Sequence, residues 1–285
     1  MTLNAGYAYQ ERVDDKAAGT TVGDYLAKAY PRASAAEWLE RIDRGEVTLE
    51  GANASAGAVL HRNQMLVWHR PPWDEPAVPR SYDVLYEDGE LLAVAKPSGL
   101  PTMPGGGYLE HTLLAMVTAR DPEAAPMHRL GRETSGVVLF ARTHEARQKL
   151  QAAWRGHEVQ KRYRTLATGT CLEDAIEITT RIGPVPHALL GTVHAATPDG
   201  KPSCSLARVL ERRTERTLFE VDITTGRPHQ IRIHLASIGF PLAGDPLYAP
   251  GGRPLPATHA LPGDGERNPG QNPGYHGFLA YLPGR

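Results

Sequence analysis

The spacing of apolar residues between positions 81 and 224 constrains the fold most strongly. Short apolar or alternating segments follow one another there, and one amphipathic helix, predicted from Thr143 to Trp154, interrupts them. Such segments predict β-strands, and their hairpin-like order favours antiparallel pairing. We therefore expect an α+β fold with a mixed, largely antiparallel sheet and flanking helices. The predicted elements are two buried strands (Val84–Tyr86, Leu91–Ala95), further strands (Gly136–Arg142, Val159–Thr168, Ala175–Ile182, Ser203–Glu211, Thr217–Thr224) and a short helix (Gln230–Ile238) that Gly239 ends.

Composition shifts along the chain predict a small module in front of a larger domain. Residues 1–70 form the first segment, and four prolines between Arg70 and Arg80 mark residues 71–80 as a linker. The main domain is then expected to span residues 81–285. Within it, residues 250–274 are so rich in glycine and proline that they predict a long, mobile loop.

The composition is that of an ordinary globular protein in a reducing compartment. The 285 residues include only two cysteines, which excludes a disulfide framework. The N-terminus lacks the basic start and apolar run of a signal peptide, and no apolar stretch approaches membrane-spanning length. We expect a cytoplasmic monomer that has no contact with a membrane.

The net charge of −1 does not by itself indicate a nucleic-acid partner, but its distribution does. Residues 126–170 carry nine Lys or Arg against three Glu, and such a basic stripe can neutralise phosphates. A solvated helix face is the simpler interpretation of the stripe alone. Its position between the motifs described below favours an RNA-binding role.

The first segment combines two amphipathic helices with a small hairpin. The helices are predicted at 22–30 and 34–42, where Ser34 and Glu37 form a capping box, and strands at 45–51 and 64–68 follow. This pattern resembles the alpha-L RNA-binding domain. The segment to Arg80 has nine basic and eleven acidic residues, so the module either binds RNA or is a degenerate, structural version.

Four motifs in the main domain carry a more specific resemblance. Their order and spacing, from about Ser81 to Tyr248, are similar to those of the RluA-type RNA pseudouridine synthases. The motifs are Val94-Ala95-Lys96-Pro97-Ser98-Gly99-Leu100-Pro101, His128-Arg129-Leu130-Gly131-Arg132-Glu133-Thr134-Ser135-Gly136, Gln160-Lys161-Arg162-Tyr163, and Gly226-Arg227-Pro228-His229-Gln230-Ile231-Arg232-Ile233-His234 with the following Gly239–Tyr248.

The resemblance implies isomerisation of uridine in structured RNA, ribosomal or transfer, without a cofactor. The target base must leave its stack, and a carboxylate must act near the anomeric carbon while a base removes the proton on carbon 5. In the family, the residue matching Arg129 enters the space left by the flipped uridine, that matching Tyr163 stacks on uracil, and that matching Arg232 pairs with the catalytic carboxylate. The resemblance and the basic stripe together give the expected RNA-contacting residues: His128, Arg129, Arg132, Lys161, Arg162 and Arg227.

One position departs from the family pattern. Gly131 stands where the family has its catalytic Asp, and the loss of such a group costs on the order of ten-thousand-fold in rate. Glu133 is the only substitute within the motif, and in an extended segment residues 131 and 133 would point to the same side. Two hypotheses follow. Either the chain is a pseudouridine synthase with a relocated carboxylate, or it is an RNA-binding pseudoenzyme of the same fold.

Other candidate features have simpler interpretations. His128, His229 and His234 lack metal-ligand spacing and nearby cysteines, so we expect no metal. Asp245 follows a glycine and precedes a proline, which predicts a turn residue. Residues 105–107, three glycines, lack the lysine of a phosphate loop and predict a flexible loop facing the substrate. A metabolic enzyme is disfavoured because the chain has no cofactor fingerprint.

Overall fold

The computed structural model describes residues 3–31, 33–188 and 190–256, together with the backbone of strand 275–281. The chain divides into two compact units, residues 1–76 and 77–285. Two predicted features fall outside the described residues: the part of the glycine- and proline-rich segment from 257 to 274, and the C-terminal residues after 281.

The first unit is a four-stranded sheet packed against two helices. Its elements are β1 (Tyr7–Arg12), α1 (Val22–Ala29), α2 (Ala35–Asp43), β2 (Val47–Leu49), β3 (Ala52–Asn53) and β4 (Met65–Arg70), with sheet order β1-β4-β2-β3. Ser34 caps α2 and accepts the backbone N–H of Glu37, whose side chain bonds back to the Ser34 N–H. The predicted helices and capping box are confirmed, and β1 is an additional strand that the sequence pattern did not predict.

The second unit holds the remaining strands and helices. They are β5 (Asp83–Glu87), β6 (Leu91–Lys96), α3 (Leu113–Thr118), β7 (Ala125–Pro126), β8 (Gly136–Ala141), α4 (His144–Arg155), β9 (Gln160–Thr168), β10 (Ala175–Ile178), β11 (Ile182–His187), β12 (Gly191–Ala196), β13 (Ser205–Arg213), β14 (Arg216–Ile223), α5 (Gln230–Ser237) and β15 (Tyr275–Tyr281). α4 begins where Thr143 accepts the backbone N–H of Ala146, as the sequence predicts.

Antiparallel pairing organises this unit. A five-stranded sheet has the order β10-β13-β14-β9-β15, a four-stranded sheet has the order β5-β6-β8-β7, and β11 pairs with β12 alone. Every strand pairing in the described part of the chain is antiparallel. The predicted α+β class with a largely antiparallel sheet is therefore confirmed.

Three details of the sequence prediction are wrong. β5 is an exposed edge strand rather than a buried one, and Leu85 at its register shift is 56% exposed. The single strand predicted over 175–182 is broken, and its last residue opens the β11–β12 hairpin. The hairpin was not predicted because it contains Pro184 and Pro186, and proline disfavours the interior of a strand. Proline is tolerated here because each strand of a two-stranded sheet is an edge strand.

The start of the predicted mobile loop is packed. Gly251 donates to Ala236 O at 2.7 Å, and Gly252 O accepts the Ala196 N–H at 3.0 Å. A Cβ at Gly252 would lie 2.9 Å from Ile233 O, so only glycine fits this close approach. Residues 250–252 therefore pack against α5 and β12. Their composition alone had predicted a mobile loop.

Two apolar cores meet at β9. One lies beside β6 and β8, and the other lies between α5 and the five-stranded sheet; Tyr163 of β9 packs against both. None of the described helices combines the length and the apolar character needed to span a bilayer.

Candidate active site

The segment between β7 and β8, residues 128–135, is here called the motif loop. Lys96, at the end of β6, is 1% exposed and its Nζ donates to the carbonyl oxygens of Leu100 at 2.6 Å, Pro97 at 2.8 Å and Arg132 at 3.0 Å. Burial lowers the pKa of Lys96 to about 7, and the nearby carboxylate of Glu133 opposes this shift. Three acceptors at once require three N–H groups, which only the ammonium carries. The hydrogen bonds thus favour the charged form.

Further bonds hold the motif loop on both sides of residue 131. The buried Thr102 hydroxyl accepts the Leu130 N–H at 3.1 Å and donates to Leu130 O at 2.8 Å. The Gly99 N–H donates to Arg132 O at 2.8 Å. The backbone of residues 130 and 132 is therefore fixed by groups outside the loop, whatever side chain residue 131 carries.

Gly131 itself uses none of the conformational freedom of glycine. It is exposed, and its φ lies outside the left-handed region. A Cβ built there would meet only Thr134 Oγ1, at an ordinary contact distance of 3.5 Å. A side chain such as aspartate would fit without strain.

Glu133 does not have the extended geometry that would align it with Gly131. The Thr134 N–H donates to Gly131 O at 3.0 Å, which closes a β-turn with Arg132 and Glu133 at its centre. Glu133 Oε1 accepts from Arg132 Nε at 2.8 Å, and its side chain is 31% exposed. Arg132 also donates from Nη1 to the Tyr108 hydroxyl at 2.5 Å, which ties the loop to the segment after the three glycines.

His128 opens the motif loop as a neutral imidazole. Its Nε2 accepts the Leu139 N–H at 3.2 Å, and its ring stacks on Trp154 with centroids 5.3 Å apart. Burial, with a smaller effect from the charge of Lys161, lowers its pKa to about 4. These contacts anchor the loop, so His128 has a structural role besides its predicted RNA contact.

The Lys-Arg-Tyr motif divides between the two faces of β9. Side chains alternate along a strand, so Lys161 and Tyr163 share one face and Arg162 occupies the other. Burial raises the pKa of Tyr163, which therefore stays protonated. On the opposite face, Arg162 Nε pairs with Asp222 across to β14 at 2.8 Å. Arg162 is thus directed away from the face that carries Tyr163.

Arg232 of α5 has a buried carboxylate partner. Its Nε and Nη2 donate to Asp245 Oδ2 and Oδ1 at 2.7 and 2.6 Å, in a bidentate pair whose Asp245 side chain is 2% exposed. Asp245 Oδ1 also accepts the N–H groups of Leu247 and Tyr248, at 2.9 and 3.2 Å. Asp245 does shape a turn, as predicted, but its ion pair depends on a contact between distant residues that the local sequence cannot reveal.

The other predicted residues occupy different surroundings. Arg129 is exposed, and Arg227 Nε donates to Pro202 O at 3.2 Å. His234 is fully buried among Ser203, Ser205 and the carbonyl of Thr180. The charge of Arg129, in the motif loop, makes the smallest of the contributions that lower the pKa of His229 at the start of α5.

The comparisons with known proteins agree with this arrangement. The profile of the RNA pseudouridylate synthase family matches residues 90–237. The chain is 42% identical over 244 residues to an uncharacterised RNA pseudouridine synthase of Synechocystis sp., covering 85% of this chain and 84% of that protein. It is 38% identical to RNA pseudouridine synthase 5 of Arabidopsis thaliana, over 88% of this chain and 78% of that protein.

Two further similarities concern a bacterial relative and a solved fold. Ribosomal large subunit pseudouridine synthase D of Xanthomonas campestris is 32% identical, over 84% of this chain and 74% of that protein. The solved structure of human RNA pseudouridylate synthase domain containing 1 matches with a TM-score of 0.55 at 21% identity, over 74% of this chain and 82% of that one, and shows a shared fold.

The chain belongs to the RNA pseudouridylate synthase family. Its class of activity is the isomerisation of uridine in RNA.

Proposed function

We propose that the chain converts uridine to pseudouridine at the motif loop, and that Glu133 supplies the carboxylate that Gly131 lacks. The observation that carries the proposal is the retained scaffold. Lys96, Gly99 and Thr102 hold the backbone on both sides of residue 131. These bonds hold the backbone beside residue 131 in one geometry, which a carboxylate acting from this loop would need.

The reaction breaks the bond between uracil and the anomeric carbon, turns the base, and forms a bond from that carbon to carbon 5. A carboxylate stabilises or attacks the anomeric carbon, and the proton on carbon 5 then leaves. In our proposal Arg129, which is exposed, fills the space of the flipped nucleotide. Tyr163 stacks on the base, and its raised pKa keeps it a neutral platform.

Glu133 is better suited than Asp245 to act as this carboxylate. Glu133 Oε1 lies 2.8 Å from Arg132 Nε, and the Glu133 side chain remains partly exposed. Asp245 already accepts two N–H groups and both arms of Arg232, and its side chain is almost fully buried. A carboxylate so completely engaged cannot reach a substrate.

One observation favours the pseudoenzyme as a second candidate. Arg232, which the family resemblance pairs with the catalytic carboxylate, is neutralised here by Asp245. The charges near α5 are therefore balanced without a carboxylate at position 131. An RNA-binding protein without turnover would retain this arrangement.

A pseudouridine-specific map of total RNA from cells with and without the protein tests the proposal. Ribosomal RNA is the first place to look, because the Xanthomonas relative carries the large ribosomal subunit in its name. Cells that express the Glu133→Gln and Gly131→Asp variants are mapped in parallel. Glu145→Gln serves as a matched control, since Glu145 lies on the exposed surface of α4.

We expect a site that disappears with the protein and with Glu133→Gln but persists with Glu145→Gln. A dependent site that survives Glu133→Gln would refute Glu133 as the carboxylate. If no site depends on the natural chain and one appears only with Gly131→Asp, the pseudoenzyme is the correct function.

A further inference from the structure

His229 has an unusual position at the start of α5. Its backbone is left-handed, with φ 55° and ψ 22°, and its side chain makes no capping hydrogen bond to the helix. Residues with a side chain adopt this conformation at a cost in free energy, and such strain concentrates at functional sites. The residue as a whole is exposed, while its imidazole packs edge-on against the Tyr248 ring, with centroids 5.7 Å apart.

The hydrogen bonds of Tyr248 determine which ring nitrogen of His229 carries the proton. The Tyr248 hydroxyl lies 2.6 Å from His194 O and 2.8 Å from His229 Nδ1. A carbonyl can only accept, so the single phenol hydrogen goes to His194 O. His229 Nδ1 must then donate to the phenol oxygen. Nε2 of the neutral ring is left with a lone pair, and in the described part of the chain it has no hydrogen-bond partner.

The surroundings keep this acceptor neutral. Burial of part of the ring and the guanidinium of Arg232 lower the pKa of His229 to about 4; His194 and Arg129 act in the same direction, and Asp245 opposes them. Burial raises the pKa of Tyr248, so the phenol keeps its hydrogen. Near neutral pH, Nε2 therefore carries a lone pair, and the charges of Arg232 and Arg129 act on the same ring.

We infer that His229 Nε2 accepts a hydrogen bond from N3–H of the target uracil and so selects uracil over cytosine. Cytosine presents a lone pair at the same ring position, and two facing acceptors repel each other. A site whose acceptor hydrogen-bonds a donor on the substrate discriminates against an analogue without that donor, because the acceptor then has no hydrogen-bond partner. This inference rests on the proposed function and names a recognition residue for it.

Two alternative roles fit less well. Removal of the carbon 5 proton requires a base with a pKa near the working pH, which the low pKa of His229 does not provide. A purely structural role would use only Nδ1, through its bond to Tyr248. It would leave the lone pair of Nε2 without a role.

Two substitutions separate recognition from structure. His229→Gln places an amide oxygen near the position of Nε2 and gives up the bond to Tyr248. His229→Asn retains a hydrogen-bond donor near the position of Nδ1 but places no hydrogen-bond acceptor near the position of Nε2. Asn also tolerates the left-handed backbone better than most residues, so a defect in this variant cannot be attributed to backbone strain.

The first measurement is ¹⁵N NMR of the imidazole side chains in the full chain. We expect His229 to be protonated on Nδ1 and to stay neutral near pH 7. A proton on Nε2 would overturn the inference, and this result is independent of whether the chain turns over.

The second measurement is the pseudouridine level at the protein-dependent site. We expect a loss of about fivefold in the rate with His229→Asn and substantial rescue with His229→Gln, since one uncharged hydrogen bond is worth about 1 kcal/mol. Full rate with Asn and loss with Gln would assign His229 a structural role.

If no RNA site depends on the natural chain, the proposed function fails, and binding then decides the inference separately. Short oligouridylate and oligocytidylate strands are compared by fluorescence polarisation. A preference for oligouridylate that is lost in His229→Asn and kept in His229→Gln supports the role of Nε2. Equal affinity for the two strands contradicts it.

Discussion

The motif loop and the cluster at the start of α5 are stabilised in opposite ways. Groups outside the loop hold the loop through its backbone carbonyl and amide groups. In the α5 cluster, side chains hold one another: Arg232 binds Asp245, and His229 binds Tyr248. The loop can therefore change the side chain at residue 131 without losing its shape. In the α5 cluster, by contrast, removing the charge of Asp245 takes both of its hydrogen bonds to Arg232 out of a charge pair that is largely buried.

This difference explains how glycine can stand at residue 131 while the backbone on both sides keeps its hydrogen bonds. The loop's geometry depends on Lys96 and Thr102, so the side chain at residue 131 can change at little structural cost. The same reasoning predicts which substitutions should unfold the protein and which should affect activity alone.

The largest effect is expected in the α5 cluster, with Asp245→Asn. This change leaves the largely buried Arg232 guanidinium without its counter-charge, so we expect the free energy of unfolding to fall by about 3 kcal/mol. Urea denaturation measures it. The control is Asp174→Asn, because Asp174 pairs with Arg212 at the same 2.6 Å but is 93% exposed. We expect that control to change stability by less than ~0.5 kcal/mol, and equal losses would contradict the importance of burial.

In the motif loop, Thr102→Val should have the next largest effect. Valine has nearly the same shape but leaves both the N–H and the carbonyl of Leu130 unsatisfied, which we expect to cost about 2 kcal/mol. Thr102→Ser, which retains the hydroxyl, is the control. If both variants unfold at the same urea concentration, the hydroxyl does not anchor the loop.

The neutral state of His128 predicts a dependence of stability on pH. Its pKa is about 4 in the folded chain and ordinarily 6.5, so the unfolded chain binds more protons between these values. The stabilising contribution is complete above about pH 6.5 and is lost as the pH falls towards about 4. We expect a loss of about 1–2 kcal/mol relative to His128→Gln, whose amide oxygen can accept the Leu139 N–H without titrating. Parallel pH profiles of the two proteins would contradict this.

The smallest effect is expected for the glycine in the motif loop. Because Gly131 has an ordinary φ and room for a Cβ, Gly131→Ala should change the free energy of unfolding by less than ~0.5 kcal/mol. Gly99→Ala is the comparison, since Gly99 has a φ of +87° that disfavours any side chain, and we expect a loss of about 1 kcal/mol there. A large loss with Gly131→Ala would show that the loop does depend on residue 131.

The local sequence by itself determined the α+β class, the antiparallel order of the strands and the position of the motif loop. These follow from apolar periodicity, capping residues and short motifs, which act over a few residues. The Ser34 capping box and the Thr143 cap of α4 are examples, because all of their partners lie three residues away.

Only the tertiary structure decided which of the motif residues contact one another and which groups hold them. Three contacts join residues that are distant in the sequence. They are the ion pair between Arg232 and Asp245, the hydrogen bond from Lys96 to the carbonyl of Arg132, and the hydrogen bond between His229 and Tyr248 that determines the proton position on His229. The exposure of β5 and the packing at Gly252 likewise depend on what the rest of the chain places beside them. The energy of a buried charge or an unpaired polar group depends on its surroundings, and those form only when the chain folds.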